Sequence, residues 1–230
     1  MAQATPVVFI PALLCDDALY ADVIARLGDQ IEPHVLMSPK PLLADSVADI
    51  LARAPATFAL VGTSYGGNLA LAVALAAPER VIALWLMGCD PAAAAAGGPD
   101  LAGGLEATPE PVFDMLAGLV VHPDHTEAAA TFRAMAGRVG AAAGAAQARA
   151  LAARADITAE LGTLHMPALV FWGADDALVP PAIGRALSDE LPHAHFFALP
   201  GCGHLPTLEK PAESAAAFGA FLEEELHHGH

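Results

Sequence analysis

Three short stretches far apart in the chain hold the residue types of a nucleophile, an acid and a base. They are Gly62-Thr63-Ser64-Tyr65-Gly66, Gly173-Ala174-Asp175-Asp176 and Gly201-Cys202-Gly203-His204. A serine hydroxyl is a poor nucleophile until a base within hydrogen-bond reach takes its proton, and an imidazole steadied by a carboxylate is well suited to that work. Such a set performs acyl transfer: the serine attacks a carbonyl, an acyl-enzyme forms, and water releases the acid. Ser64 and His204 are the candidates for nucleophile and base, with a carboxylate at Asp175 or Asp176 behind the histidine.

For these residues to meet, particular elements must carry them. Gly-x-Ser-x-Gly works as a nucleophile-bearing turn only between a strand and a helix, where glycines on either side let the chain fold tightly. Phe58–Val61 reads as the strand, and Leu69–Ala77 has helical spacing. Further apolar runs at Pro6–Ile10, Val81–Met87, Ala168–Trp172 and His195–Leu199 predict buried strands, and His34–Met37 predicts another. Helical patterns such as Leu19-Val23-Ile24-Leu27 lie between them, and this alternation implies a mostly parallel sheet covered by helices on both faces. The Asp175-Asp176 and His204 loops each follow a predicted strand, so both belong to the carboxyl edge of the sheet, where open α/β sheets bind ligands. The chain order serine, aspartate, histidine suits this architecture.

The alternation breaks between residues 91 and 165. An alanine and glycine tract runs from Pro91 to Gly104 and reads equally as a lid hinge or a disordered loop. Helical patterns follow at Val112–Val120, Phe132–Val139 and an Ala/Arg segment ending near Arg154. The expected division is a core of residues 1–90 and 166–230 with a small helical cap at 91–165. Phe113, Met115, Leu119 and Phe132 are candidates to line an acyl pocket, although such spacing more often marks the packing of the cap itself.

A chain of 230 residues suffices for one domain with a substantial core. With a formal net charge of -16 and two lysines, Lys40 and Lys210, it is ill suited to nucleic acid or an anionic membrane surface. A small-molecule substrate is the expected partner, and oligomeric state is not legible. No transmembrane span and no secretory leader are read in the sequence, and Cys15, Cys89 and Cys202 form no CxxC pair. Free thiols and a cytoplasmic location are the corresponding expectations. With no HExxH and no phosphate-binding loop, neither a metal nor an organic cofactor is expected. The histidine-rich ending, Leu226 to His230, reads as a solvated terminus more readily than as a metal site.

The three stretches, together with Asp156-Ile157-x3-Leu161-x2-Leu164-x2-Pro167 and Gly203-His204-x4-Glu209-Lys210-Pro211, resemble the α/β-hydrolase superfamily across nearly all of the chain outside the cap. The resemblance implies a sheet of about six strands that begins where that fold usually has its third. It points to Asp176 as the acid, with Asp90 in Gly88-Cys89-Asp90 at the position some members use instead. It also implies an oxyanion hole from the backbone N–H groups of Tyr65 and Leu13. In the second of these loops, Pro11-Ala12 stands where the family often has His-Gly. Serine at the turn argues against haloalkane dehalogenases and epoxide hydrolases, which resemble this fold but use aspartate there. Cleavage of a small or medium ester is the favoured activity. Thioester cleavage, carbon–carbon bond hydrolysis, perhydrolysis and a ligand-receptor role remain alternatives.

Overall fold

The computed structural model describes residues 4–227. Its six strands are β1 (Thr5–Ile10), β2 (Ile31–Val35), β3 (Phe58–Thr63), β4 (Val81–Met87), β5 (Ala168–Gly173) and β6 (Ala194–Leu199). They form one sheet in the order β2-β1-β3-β4-β5-β6, with every neighbouring pair parallel. β3 and β5 are buried at every position, because a parallel sheet covered on both faces has no wet side to favour polar residues. Trp85 of β4 stacks on Phe218 and meets Phe171 of β5 edge-on, an aromatic cluster that joins α10 to the sheet.

The weaker strand expectation needs correction. β2 spans Ile31–Val35, not His34–Met37. It is an edge strand paired only with β1, and Pro33 sits opposite Val7. An edge position tolerates both the missing N–H of proline and the exposed Glu32, and those two residues hid the strand from an apolar-run reading. Leu36 still donates its N–H to the Phe9 carbonyl at 2.9 Å, although it lies past the strand end.

The helices are α1 (Ala21–Leu27), α2 (Leu43–Arg53), α3 (Tyr65–Ala76), α4 (Leu101–Ala107), α5 (Pro109–Val120), α6 (Thr126–Val139), α7 (Ala141–Ala152), α8 (Pro181–Glu190), α9 (Pro206–Glu209) and α10 (Pro211–Leu222). α1 packs with α10, α2 with α3, and α8 against β5 and β6. Four of them, α4 to α7, lie between β4 and β5 and pack on one another. The tract ending at Gly104 is therefore not wholly loop. α4 starts at Leu101 because Asp100 caps it, its carboxylate accepting the Gly103 N–H at 2.9 Å, and a cap offsets two interior glycines. Phe132, Met135 and Leu105 are buried here and continue the hydrophobic core of the sheet into these helices.

Among the described residues no helix is long and apolar enough to cross a membrane. Residues 228–230 of the histidine-rich ending lie outside the described part.

Candidate active site

In the strand order the chain steps from β1 outward to β2 and then returns to the other side of β1 as β3. Loops leaving the carboxyl ends of β1 and β3 consequently diverge, and a crevice opens between them. One of these loops is Pro11–Leu14 and the other is the Ser64 turn.

The turn is built as its sequence requires. Ser64 caps α3 with φ 56° and ψ −117°, a left-handed backbone that costs a non-glycine residue about 1–3 kcal/mol. Its N–H is held by the Met87 carbonyl at 2.7 Å. A Cβ on Gly62 would run into the Gly66 carbonyl, and one on Gly66 into the Ile10 carbonyl, so both flanking positions need glycine. Ser64 is half-buried, at the amino end of a twelve-residue helix. The first N–H groups of such a helix have no intrahelical acceptor and favour negative charge. Tyr65 contributes one of them. Its ring turns away, the hydroxyl donating to the Ser38 carbonyl at 3.1 Å.

Asp176 follows β5 and is buried. Oδ2 lies 2.7 Å from His204 Nδ1, while Oδ1 accepts the N–H groups of Leu178 and Val179, each at 2.9 Å. A carboxylate acceptor assigns the imidazole proton to Nδ1 and leaves Nε2 with a lone pair. Among the described residues Nε2 has no hydrogen-bond partner, although it is fully buried. It is an unpaired acceptor at the wall of a cavity. That cavity has a volume of about 190 Å³ and is lined by Ser64 and His204, with Ala12, Leu13, Leu101, Leu116, Val120, Phe132, Leu151, Leu178 and Leu205 completing the wall. Among the described residues, Ser64 and His204 bring its only polar side chains.

The other two carboxylates lie elsewhere. Asp175 accepts the Gly201 N–H at 2.9 Å and so ties the histidine loop to the end of β5. Asp90 accepts the Ala92 N–H and lies 3.9 Å from Arg154, at the wall of a separate, larger cavity of about 470 Å³ that includes neither Ser64 nor His204. Of the proposed acyl-pocket residues, Phe132 lines the Ser64 cavity. Phe113 is buried under Arg133 in the helical insertion, and Met115 and Leu119 are exposed. Their side of α5 faces water, and Leu116 and Val120 face the cavity instead.

Three residues outside the predicted set support the histidine. Glu209, in α9, uses its carboxylate to accept the N–H groups of Gly203, Leu205 and His122 at 2.9–3.0 Å. His125 Nδ1 also lies 3.2 Å from it. One side chain thus clamps both sides of His204 and the loop after α5. Val120 adds a backbone acceptor for the His204 N–H at 3.0 Å. Gly88, at φ 60°, leaves room for the imidazole, since a Cβ there would fall 2.6 Å from His204 Cε1. Glu209 was visible in the motif but without a role. The others show only when distant loops meet.

The three cysteines are free and buried. Burial, together with nearby Asp90, pushes the Cys89 thiol up to about 12, and burial raises Cys15 and Cys202 as well. Thiols held protonated make poor nucleophiles.

The sequence and the fold have counterparts among known proteins. The chain is 30% identical to a pimeloyl-[acyl-carrier protein] methyl ester esterase of Chromobacterium violaceum, across 89% of this chain and 91% of that one. It is 27% identical to the protein of the same name from Nitrosomonas europaea, across 76% of each. A thermophilic esterase from Thermogutta terrifontis superposes with a TM-score of 0.83 at 21% identity, over 97% of this chain and 91% of the other, which shows a shared fold. The model of the alpha/beta hydrolase family matches residues 8–217, from within β1 to within α10 and across every loop described above. On that span of agreement, this chain belongs to the α/β-hydrolase family.

Proposed function

We propose that this α/β hydrolase cleaves small or medium carboxylic esters through an acyl-enzyme, with Ser64 as nucleophile, His204 as general base and Asp176 orienting the imidazole. The observation that carries this reading is the pair of features at His204: Nδ1 engaged by Asp176, and a buried, unpartnered Nε2 on the wall of the cavity that Ser64 shares. In this mechanism His204 takes the serine proton as the hydroxyl attacks the ester carbonyl. The negative oxygen that develops sits at the amino end of α3 and accepts hydrogen bonds from the Tyr65 and Leu13 N–H groups. The imidazolium returns its proton to the leaving alcohol. A water molecule, activated by the same nitrogen, then releases the acid.

The cavity limits the substrate. About 190 Å³ walled by aliphatic and phenyl groups accepts a short apolar acyl or alcohol group and offers nothing to a charged one. That two relatives are named as methyl ester esterases agrees with an ester bond and a small alcohol. Residues 91–165 act as the cap of this site. A cytoplasmic enzyme acting on a small molecule, free of nucleic-acid or membrane partners, agrees with three unpaired thiols and a net charge of -16.

The test is labelling with a serine-directed fluorophosphonate alongside turnover of p-nitrophenyl acetate and butyrate. Wild type should be labelled at Ser64 and release nitrophenol, and Ser64→Ala should lose both, with kcat reduced roughly 10⁴- to 10⁶-fold. A folded wild type that neither labels nor turns over would leave a ligand-binding role in its place. An active Ser64→Ala variant would refute the nucleophile.

A further inference from the structure

The Pro11–Leu14 loop has no glycine, yet it makes a turn that usually calls for one. Cys15 donates its N–H to the Ala12 carbonyl at 3.0 Å, and Leu14, third residue of that turn, has φ 62°. A left-handed third position is the mark of a type II turn, where glycine or asparagine is the rule and a bulky apolar residue is out of place. What holds Leu14 there comes from far along the chain. Its N–H donates to Oε1 of Gln147 at 3.0 Å, from α7. Gln147 is 2% exposed, an amide buried beneath the helical insertion. One turn earlier on the same helix, Gly144 leaves the notch that Leu14 fills: a Cβ there would meet the leucine side chain, whose Cγ would be 3.1 Å away. Leu14 itself is completely buried.

We infer that Gln147 is a positioning residue of the oxyanion hole: through Leu14 it sets the direction of the neighbouring Leu13 N–H, so that α7 is a working part of the site as well as its cover. This rests on the proposed serine mechanism and adds to it the device that replaces the absent loop glycine. Gln147 touches no reacting atom. Its effect is confined to where the loop points, and a misdirected oxyanion donor lowers the rate of the chemical step while leaving ground-state binding alone.

Gln147→Leu keeps the volume and removes the acceptor, and Gln147→Glu keeps an acceptor oxygen. For p-nitrophenyl butyrate, Gln147→Leu should show kcat reduced about 100-fold with KM within roughly twofold of wild type. A trifluoromethyl ketone, whose adduct with Ser64 carries an oxyanion, should bind weaker by the same factor, while the cleaved product binds unchanged. Gln147→Glu should recover most of the loss at neutral pH. If the leucine variant fails to fold, Gln147→Met supplies the same measurement. A folded variant without the acceptor and with kcat within threefold of wild type would overturn the inference, as would equal losses in Gln147→Leu and a folded Gln147→Glu. Wild type without esterase activity or fluorophosphonate labelling would instead strike the serine mechanism beneath it.

Discussion

Nδ1 of His204 and Oδ2 of Asp176 stand 2.7 Å apart, with both side chains 1% exposed. The pair is cut off from water, and the other Asp176 oxygen is held by the N–H groups of Leu178 and Val179, so the carboxylate is fixed where the imidazole needs it. Asp176→Asn should therefore misorient the imidazole or reverse its tautomer, and kcat is expected to fall about 10⁴-fold. Asp90→Asn, at the wall of the other cavity, should leave kcat where it was. Steady-state kinetics on the two variants decides between these carboxylates, and a larger loss at Asp90 would remove Asp176 from the mechanism.

Gly88 lies beside the same ring and has no Cβ to crowd it. Gly88→Ala places a methyl 2.6 Å from His204 Cε1 and asks alanine to hold φ 60°. The backbone penalty is about 1–2 kcal/mol, and the ring has to move as well. We expect kcat to drop at least tenfold with a modest fall in Tm. A variant with lowered Tm and unchanged kcat would show that the ring has room to adjust.

Glu209 binds three backbone donors with a side chain that is itself buried. Glu209→Ala orphans the N–H groups of Gly203, Leu205 and His122 together. Unsatisfied buried donors cost about 1–3 kcal/mol each, and partial relaxation leaves roughly 3 kcal/mol in sum. In a chain of this size that lowers Tm by roughly 6–12 °C. Glu209→Gln, which keeps one acceptor oxygen, should lose less. Differential scanning calorimetry on the two variants measures the order.

Asp16 follows the turn at Leu14 and reaches Arg138 of α6 with both carboxylate oxygens, at 2.7 and 3.0 Å. Burial works to raise its carboxyl, but the Arg138 hydrogen bonds and charge and the Ala18 N–H outweigh it and hold the group below its usual value. A carboxyl lowered on folding stabilises fully above its unfolded pKa and loses that contribution as pH falls through the folded one. Asp16→Asn should thus reduce Tm at neutral pH, and its gap to wild type should shrink below about pH 4 and vanish further down. A gap that stays constant with pH would assign the effect to packing instead of charge.

The sequence exposed those parts of the architecture whose signals are local. β1, β3, β4 and β5 are buried on both faces, so each reads as an unbroken apolar run, and the elbow at Ser64 carries its steric demand in the two glycines that flank it, Gly62 and Gly66. β2 was displaced because an edge strand has one partner and admits Glu32 and Pro33. α4 is hidden in the sequence because its start depends on a cap from Asp100, while its glycines argue for a loop. The loops bearing Ser64, Asp176 and His204 are assigned to one sheet edge by sequence because each follows a predicted strand of a parallel sheet. What steadies them is not: Gln147 and Leu14 are 133 positions apart, and Glu209 and His122 are 87 apart. No window along the chain contains both members of such a pair.

The attachments of the helical insertion have a practical meaning for anyone redesigning substrate choice. Gln147 holds the turn after β1, and the stretch from Val120 to His125 holds the histidine loop through Val120 and Glu209. Exchanging residues 101–152 wholesale for a foreign segment would sever these moorings and disable the chemistry while reshaping the pocket. Leu116, Phe132 and Leu151 face the cavity without serving as anchors. Variation at these three offers the route by which a new acyl group can be admitted while turnover is retained.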